Sequence, residues 1–322
     1  MAPRQNKNLI EVKDLKVYFM TRSGPAKAVD NVAFSIKKNQ TLGLIGESGC
    51  GKTTTAMAVM RFVKPPGKII SGSIRYMGDD IVPMTAEQMR QIRGKEISIV
   101  RQEAQNALNP VLTIGKQITE MIREHESISK EEALYRARKQ LDLVGISDKR
   151  IKSFPHEFSG GMKQRVMVAI ATACNPKFLI LDEPTTGLDV IVQRQILMML
   201  RKLKKELDLT AVFISHDLSV VAETCDRVAV MYAGKILEES DTISLYSNPL
   251  HPYSKALIGA YPSLKGELKE LKSIPGAPPS LIDPPLGCRF APRCELAEDI
   301  CRKREPAVNI INGRKVACHM VK

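Results

Sequence analysis

Residues 10–19 alternate apolar and polar positions. Ile10, Val12, Leu15, Val17 and Phe19 fall on one face with a single slip, which predicts a strand. A second strand is predicted over 32–36. A short buried strand over 41–45 runs into a glycine-rich turn, and a helix is predicted over 53–62 until Pro65, Pro66 and Gly67 break it. Strands are also predicted over 72–77 and 97–100. From 113 to 143 the period lengthens: Ile114, Ile118, Met121 and Ile122, then Ala133, Ala137, Leu141 and Val144, recur at helical spacing. This predicts an all-helical insert. A helix over 159–174 stops at Pro176, a buried strand spans 178–181, and an amphipathic helix spans 193–207. An apolar strand over 211–215, a helix and a strand over 227–232 complete the regular part. Strands alternating with helices imply α/β architecture, a parallel sheet covered on both faces. Near 245 the texture changes, and Pro249, Pro252, Pro262, Pro275, Pro278, Pro279, Pro284 and Pro285 crowd the stretch beyond it. The expected division is a main domain over 1–245 and a loop-rich appendage over 246–322, with no internal repeat.

A chain of 322 residues suits one large domain plus an appendage. Trp is absent and aromatics are 5%, so the core must be aliphatic. No apolar run approaches the roughly eighteen residues of a bilayer span. Residues 1–13 are polar and carry no apolar signal core, so the expected location is the cytoplasm. The net charge of +13 fits a basic solvated surface, attraction to anionic headgroups or binding to nucleic acid. Aromatic and basic residues are not interleaved as a single-strand binder would need.

Gly46-Glu47-Ser48-Gly49-Cys50-Gly51-Lys52-Thr53 fits the phosphate-loop pattern and sits between an apolar strand and a helix, the context that gives the motif meaning. Glycines let successive N–H groups turn inward onto a polyphosphate, and the helix start adds its positive end. Lys52 would reach the β and γ phosphates, Thr53 would offer a hydroxyl to Mg²⁺, and Thr54 would add a phosphate contact. Cys50 reads as a small filler. The run Phe178-Leu179-Ile180-Leu181 delivers Asp182 and Glu183 at the carboxyl end of a buried strand, where open α/β sheets bind ligands. Asp182 would hold Mg²⁺ through a water, and Glu183 is placed to polarise the attacking water as general base.

Further segments bring in a family. Phe158-Ser159-Gly160-Gly161-Met162-Lys163-Gln164 resembles the signature of ATP-binding-cassette (ABC) ATPases, Leu-Ser-Gly-Gly-Gln or a near relative. Asp182-Glu183-Pro184-Thr185-Thr186-Gly187-Leu188-Asp189 resembles the strand and D-loop of that family. Ser215-His216-Asp217 resembles its switch-histidine segment, and Gln102 falls where its Q-loop glutamine sits. The resemblance covers roughly 8–245. It implies a RecA-like core sheet, an antiparallel β subdomain and a helical subdomain at about 104–160. It also implies ATP between one phosphate loop and the Ser159, Gly160, Gly161 and Gln164 of a second cassette. His216 would contact the γ phosphate, Gln102 would bind Mg²⁺, and Asp189 would lie at the interface. Ser159 can cap a helix whose bare N–H groups bind anion. Phe19 aligns with the adenine-stacking aromatic, and as part of an alternating strand it also fits the core. Two places depart from the family: Arg101 and Glu103 flank Gln102 where relatives have an aromatic and Asp, and Phe158 replaces the signature leucine.

The tail narrows the resemblance. Asn248-Pro249-Leu250-His251-Pro252-Tyr253, Ile274-Pro275-Gly276 and Gly287-Cys288-Arg289-Phe290-Ala291-Pro292-Arg293-Cys294 are similar to the C-terminal region of dipeptide and oligopeptide permease ATPases, the D-type subunits. That similarity implies peptide import driven by ATP at the cytoplasmic face of the membrane. The implied partners are two transmembrane permease subunits, a related second ATPase and, indirectly, an external peptide-binding protein, with no nucleic acid. Nickel or another small solute is the alternative cargo, and a soluble ABC ATPase acting on nucleic acid the alternative class. Cys288, Cys294, Cys301 and Cys318 are separated by five, six and sixteen residues, so paired zinc-ribbon spacing is absent. Four thiolates on a loop can hold a [4Fe–4S] cluster, to which the resemblance points. His319 permits a Cys₃His zinc site instead, and four unrelated cysteines remain the plain reading. Cys174 and Cys225 read as core.

Overall fold

The structure, a computed structural model, describes residues 8–101, 107–260 and 274–321. In chain order it contains β1 (Asn8–Thr21), β2 (Gly24–Lys37), β3 (Thr41–Ile45), α1 (Lys52–Val59), β4 (Gly67–Tyr76), β5 (Asp79–Asp80), α2 (Ala86–Ile92) and β6 (Ile97–Val100). Next come α3 (Ile114–His125), α4 (Lys130–Leu143), α5 (Gly160–Thr172), β7 (Phe178–Asp182), α6 (Val190–Glu206), β8 (Thr210–Ile214) and α7 (Leu218–Thr224). The chain continues through β9 (Arg227–Tyr232), β10 (Lys235–Asp241), α8 (Thr242–Ser247), α9 (Pro252–Gly259), α10 (Asp299–Lys303), β11 (Val308–Ile311) and β12 (Arg314–Ala317). These elements fall into two compact units. One is Met1–Leu9, Lys37–Gln40 and Pro83–Phe213, and the other is Ile10–Ile36, Thr41–Val82 and Ile214–Lys322.

In the first unit β6 and β7 run parallel, from Ile97 opposite Phe178 to Val100 opposite Leu181, and β8 lies on the far side of β7. Every residue of β7 is buried, as its continuous apolar run requires. The helical insert forms as its period predicts. Ile114, Ile118 and Ile122 of α3 and Ala133, Ala137 and Leu141 of α4 are fully buried. Thr113 and Ser129 cap the two helices by accepting from the N–H groups of Lys116 and Glu132. Helix α6 starts earlier than its apolar stripe because Asp189 caps it through Val192 N–H at 2.9 Å. Its first residues, Val190 and Ile191, are strongly exposed.

In the second unit β2, β1, β4 and β5 form an antiparallel sheet. Strand β2 begins well before its predicted start; its first residues are half-exposed, so no burial alternation marks them. A further set of strands runs in the order β11-β12-β10-β9-β3, with β3 and β9 parallel from Leu42–Arg227 to Ile45–Val230. The tail adds β11 and β12 to this set. Strand β12 pairs antiparallel with β10, placing Glu238 opposite Val316 and Glu239 opposite Lys315. Both glutamates are buried and both have cationic partners. Arg314 Nη2 lies 2.6 Å from Glu238, Lys315 Nζ lies 3.0 Å from Glu239, and Arg227 also pairs with Glu239. The N–H groups of Leu250 and His251 donate to Glu238 as well, tying the start of the tail to the sheet. Among the described residues no helix is long and apolar enough to cross a membrane.

Candidate functional site

The phosphate-loop segment joins β3 to α1 with Gly46, Gly49 and Gly51 at positive φ. Two of these glycines are forced by close approach as well. A Cβ on Gly46 would stand 2.1 Å from the carbonyl oxygen of Met231 on β9, and one on Gly51 would stand 2.2 Å from that of Ala28. The loop is thus pressed against backbone on its inner side, while Ser48 and Gly49 face outward and a Cβ on Gly49 would meet nothing within 4 Å. Lys52 is buried, and its Nζ donates to the carbonyls of Gly46 (2.8 Å) and Glu47 (2.9 Å) and lies 3.6 Å from Cys50 Sγ. The loop therefore closes around a fixed ammonium group, a shape suited to a polyanion. Cys50 is the buried filler expected, and burial raises its thiol pKa. Thr53 and Thr54 occupy the first turn of α1.

Glu47 is held twice. Its N–H donates to the Tyr253 hydroxyl at 3.0 Å. Its carboxylate accepts from both Arg293 Nη atoms, at 2.8 and 3.0 Å. Arg293 also donates to Pro275 O (2.7 Å) and to the Tyr232 hydroxyl (3.2 Å). Tyr232, Tyr253 and Phe290 form a buried three-ring cluster with centroids 4.7 to 5.3 Å apart. These tail contacts are not evident from the motif itself. The segments carrying Tyr253 and Arg293 stand out in the sequence only as marks of resemblance.

Also in this unit, Phe19 of β1 is half-exposed beside Gly67, its register partner on β4. The side chain is therefore neither fully buried nor free of the sheet. His216 is exposed after β8, between Ser215 and the helix cap Asp217, which accepts from Ser219 N–H at 2.9 Å.

In the first unit β7 delivers Asp182, 2% exposed, followed by Glu183. Glu183 has φ 49°, a left-handed conformation uncommon for a side chain of its size, and such strain concentrates at functional sites. Its Oε2 accepts from the Thr186 hydroxyl at 3.0 Å. Ser159 caps α5 as its type suggests, accepting from Met162 N–H at 3.4 Å, and leaves the first amides of Gly160 and Gly161 at the helix start. A Cβ on Gly161 would come 2.4 Å from Val192 Cγ1, so α5 and α6 meet closely beside Asp189. Gln164 points inward and is buried. Gln102 lies outside the described residues.

The four tail cysteines come from the segment before α10, from α10 and from the residue after β12. Cys288 N–H donates to Cys301 O at 2.8 Å. All are free thiols. Burial pushes Cys288 up to about 11, and burial also raises Cys294 and Cys318. The neighbouring thiols add to each of these shifts. A bound cation would reverse that effect. As they stand, no three His, Cys, Asp or Glu side chains among the described residues are arranged to hold a metal ion. His319 is turned toward the tail backbone, its Nε2 2.8 Å from Arg304 O.

Comparison with known proteins matches two family profiles. One, described as ABC transporter, covers residues 29–186. The other, described as oligopeptide/dipeptide transporter, C-terminal region, covers 237–301. The chain is 48% identical over 303 residues to the oligopeptide transport ATP-binding protein OppD of Bacillus subtilis, spanning 92% of this chain and 84% of that one. It is 43% identical over 320 residues to the protein of the same name from Escherichia coli, spanning 99% and 95%. Among solved structures it is similar to the dimeric ATP-binding cassette MJ0796 in a post-hydrolysis state bound to ADP and Pi. The TM-score is 0.65 at 25% identity, covering 72% of this chain and 98% of that one.

Proposed function

The chain belongs to the ABC transporter family of ATPases, and from that premise we propose that it is the ATP-hydrolysing subunit of an importer of dipeptides and oligopeptides. The carrying observation is the loop of residues 46–53, closed around the Lys52 ammonium with its outer turn open. Phosphate oxygens replace the two carbonyls that Lys52 now contacts, and the loop amides take up the remaining charge. Thr53, Asp182 and Gln102 are the residues to hold Mg²⁺, which neutralises charge on the β and γ phosphates when bound. Glu183 accepts a proton from the attacking water, and His216 steadies the γ phosphate. Phe19, half-exposed, stacks on adenine. Ser159, Gly160 and Gly161 serve the nucleotide of a second cassette, with Gln164 supporting the helix from within and Asp189 at the interface.

Two permease subunits, a related second ATPase and an external peptide-binding protein complete the assembly, with this chain peripheral at the cytoplasmic face. In this reading residues 1–245 form the nucleotide domain and 246–322 the metal-bearing appendage. Purification from native membranes is expected to recover two membrane subunits and a different cassette. Recovery of none of these, with an ATPase rate stimulated by DNA or RNA instead, would overturn it.

The thiols of Cys288, Cys294, Cys301 and Cys318 are proposed to carry a [4Fe–4S] cluster, supported by their being free thiols and by the backbone hydrogen bond that joins Cys288 to Cys301. Anaerobically purified chain is expected to be brown and to contain iron and acid-labile sulfide at about four atoms each. Colourless protein with one zinc favours the Cys₃His alternative with His319, and protein free of both leaves the cysteines as packing residues.

A further inference from the structure

The fold leaves Glu47 with two partners that the phosphate-loop chemistry itself does not require. Its carboxylate meets a forked guanidinium, the geometry that gives the strongest and most directional ion pairs. The Arg293 side chain is only 6% exposed and Glu47 22% exposed, so water screens the pair little. Arg293 is itself immobilised by Pro275 O and by the hydroxyl of Tyr232. The second hold is independent, because the Glu47 backbone N–H reaches Tyr253, whose ring is fully buried against Tyr232 and Phe290. Downstream, Gly51 is pressed against Ala28 O, and Cys50 O accepts from Gly234 N–H at 2.9 Å. Between these anchors Ser48 and Gly49 bridge open space.

We propose that Arg293 and Tyr253 are positioning residues of the phosphate loop: they hold Glu47 by its carboxylate and its backbone, and so keep the turn over 48–51 in its anion-binding shape before nucleotide arrives. The inference rests on the reading of that loop as the ATP site. Neither residue belongs to the loop, and each reaches it through Glu47. Each removes conformational freedom that binding would otherwise have to freeze, and pre-organisation of this kind raises affinity without a new contact to the ligand.

The test is titration of the full-length chain with Mg-ATP and with adenosine, alongside thermal melts without nucleotide. Arg293→Met is expected to raise the Kd for Mg-ATP about tenfold, equivalent to about 1.4 kcal/mol. Glu47→Met is expected to do the same, and the double variant to be no weaker than the weaker single one, the mark of one shared interaction. Arg293→Lys is expected to recover only a small part of the loss, since it keeps the charge but not the fork. Tyr253→Phe, which keeps the ring in the cluster, is expected to weaken Mg-ATP about threefold, as loss of one hydrogen bond would. Adenosine affinity should not move in any of them. Wild-type Kd values in Arg293→Met and Tyr253→Phe, or strictly additive losses in the double variant, overturn the proposal. Should Arg293→Met fail to fold, the Glu47 and Tyr253 variants decide alone. Failure of the unaltered chain to bind Mg-ATP would strike the ATP reading first, and is distinguished by that control.

Discussion

Replacing Glu183 with Gln is expected to lower ATP turnover by about a hundredfold or more while Mg-ATP still binds. The amide keeps the size of the carboxylate and still accepts from the Thr186 hydroxyl, which lies 3.0 Å from Glu183 Oε2. What it loses is the capacity to take a proton from water. The left-handed backbone at Glu183 sets the side chain's direction, and the substitution leaves that backbone unchanged. Single-turnover phosphate release and nucleotide titration separate the two properties. Equal loss of binding and turnover would assign Glu183 to holding the nucleotide, and unchanged turnover would remove it from the chemistry altogether.

The second large effect concerns stability. Arg314→Met is expected to cost about 3–5 kcal/mol, because it strands a buried carboxylate at Glu238. Glu238 is fully buried, and Arg314 is its cationic partner, at 2.6 Å. Ending the chain at 245 goes further. It removes Arg314, Lys315 and the N–H groups of Leu250 and His251 together, while Glu239 keeps Arg227. Against a total stability of about 5–15 kcal/mol, that loss approaches the whole. The truncated chain is expected to be insoluble, and the point variant to show a lowered urea midpoint at unchanged slope. A wild-type midpoint in the point variant would show that the Arg314–Glu238 pair contributes nothing, and a cooperative transition at that midpoint in the truncated chain would show the same of the whole tail.

Much of the fold was legible where burial is continuous. Strands β3, β7 and β9 are mostly apolar because nearly all their residues are buried, and their bounds fall within a residue of the pattern. The phosphate loop was legible for a different reason: few residue types tolerate that curl. Strand β10 was not legible, because its interior carries the buried polar residues Glu238, Glu239 and Ser240, and the two glutamates find Arg314 and Lys315 76 positions along the chain. The turn before it, Ala233-Gly234, takes positive φ at both residues, and alanine gives no hint of that. In the tail, Val308 and Ile310 are mostly exposed, so β11 has no buried face to announce it. Only Asn312-Gly313, both at positive φ, marks the hairpin. At the site, residue types identified Asp182, Glu183 and Lys52, whereas the holds on Glu47 depend on side chains more than 200 positions away, which no local pattern encodes.

The pairing of β12 with β10 also bears on protein engineering. A tail of this kind cannot be grafted onto an unrelated cassette as a detachable module, because its bases find their counter-charges inside the host's own sheet. A viable chimera would have to carry the two adjoining acids of β10 across with it, and the junction belongs upstream of residue 235, not at the proline-rich stretch where the composition changes.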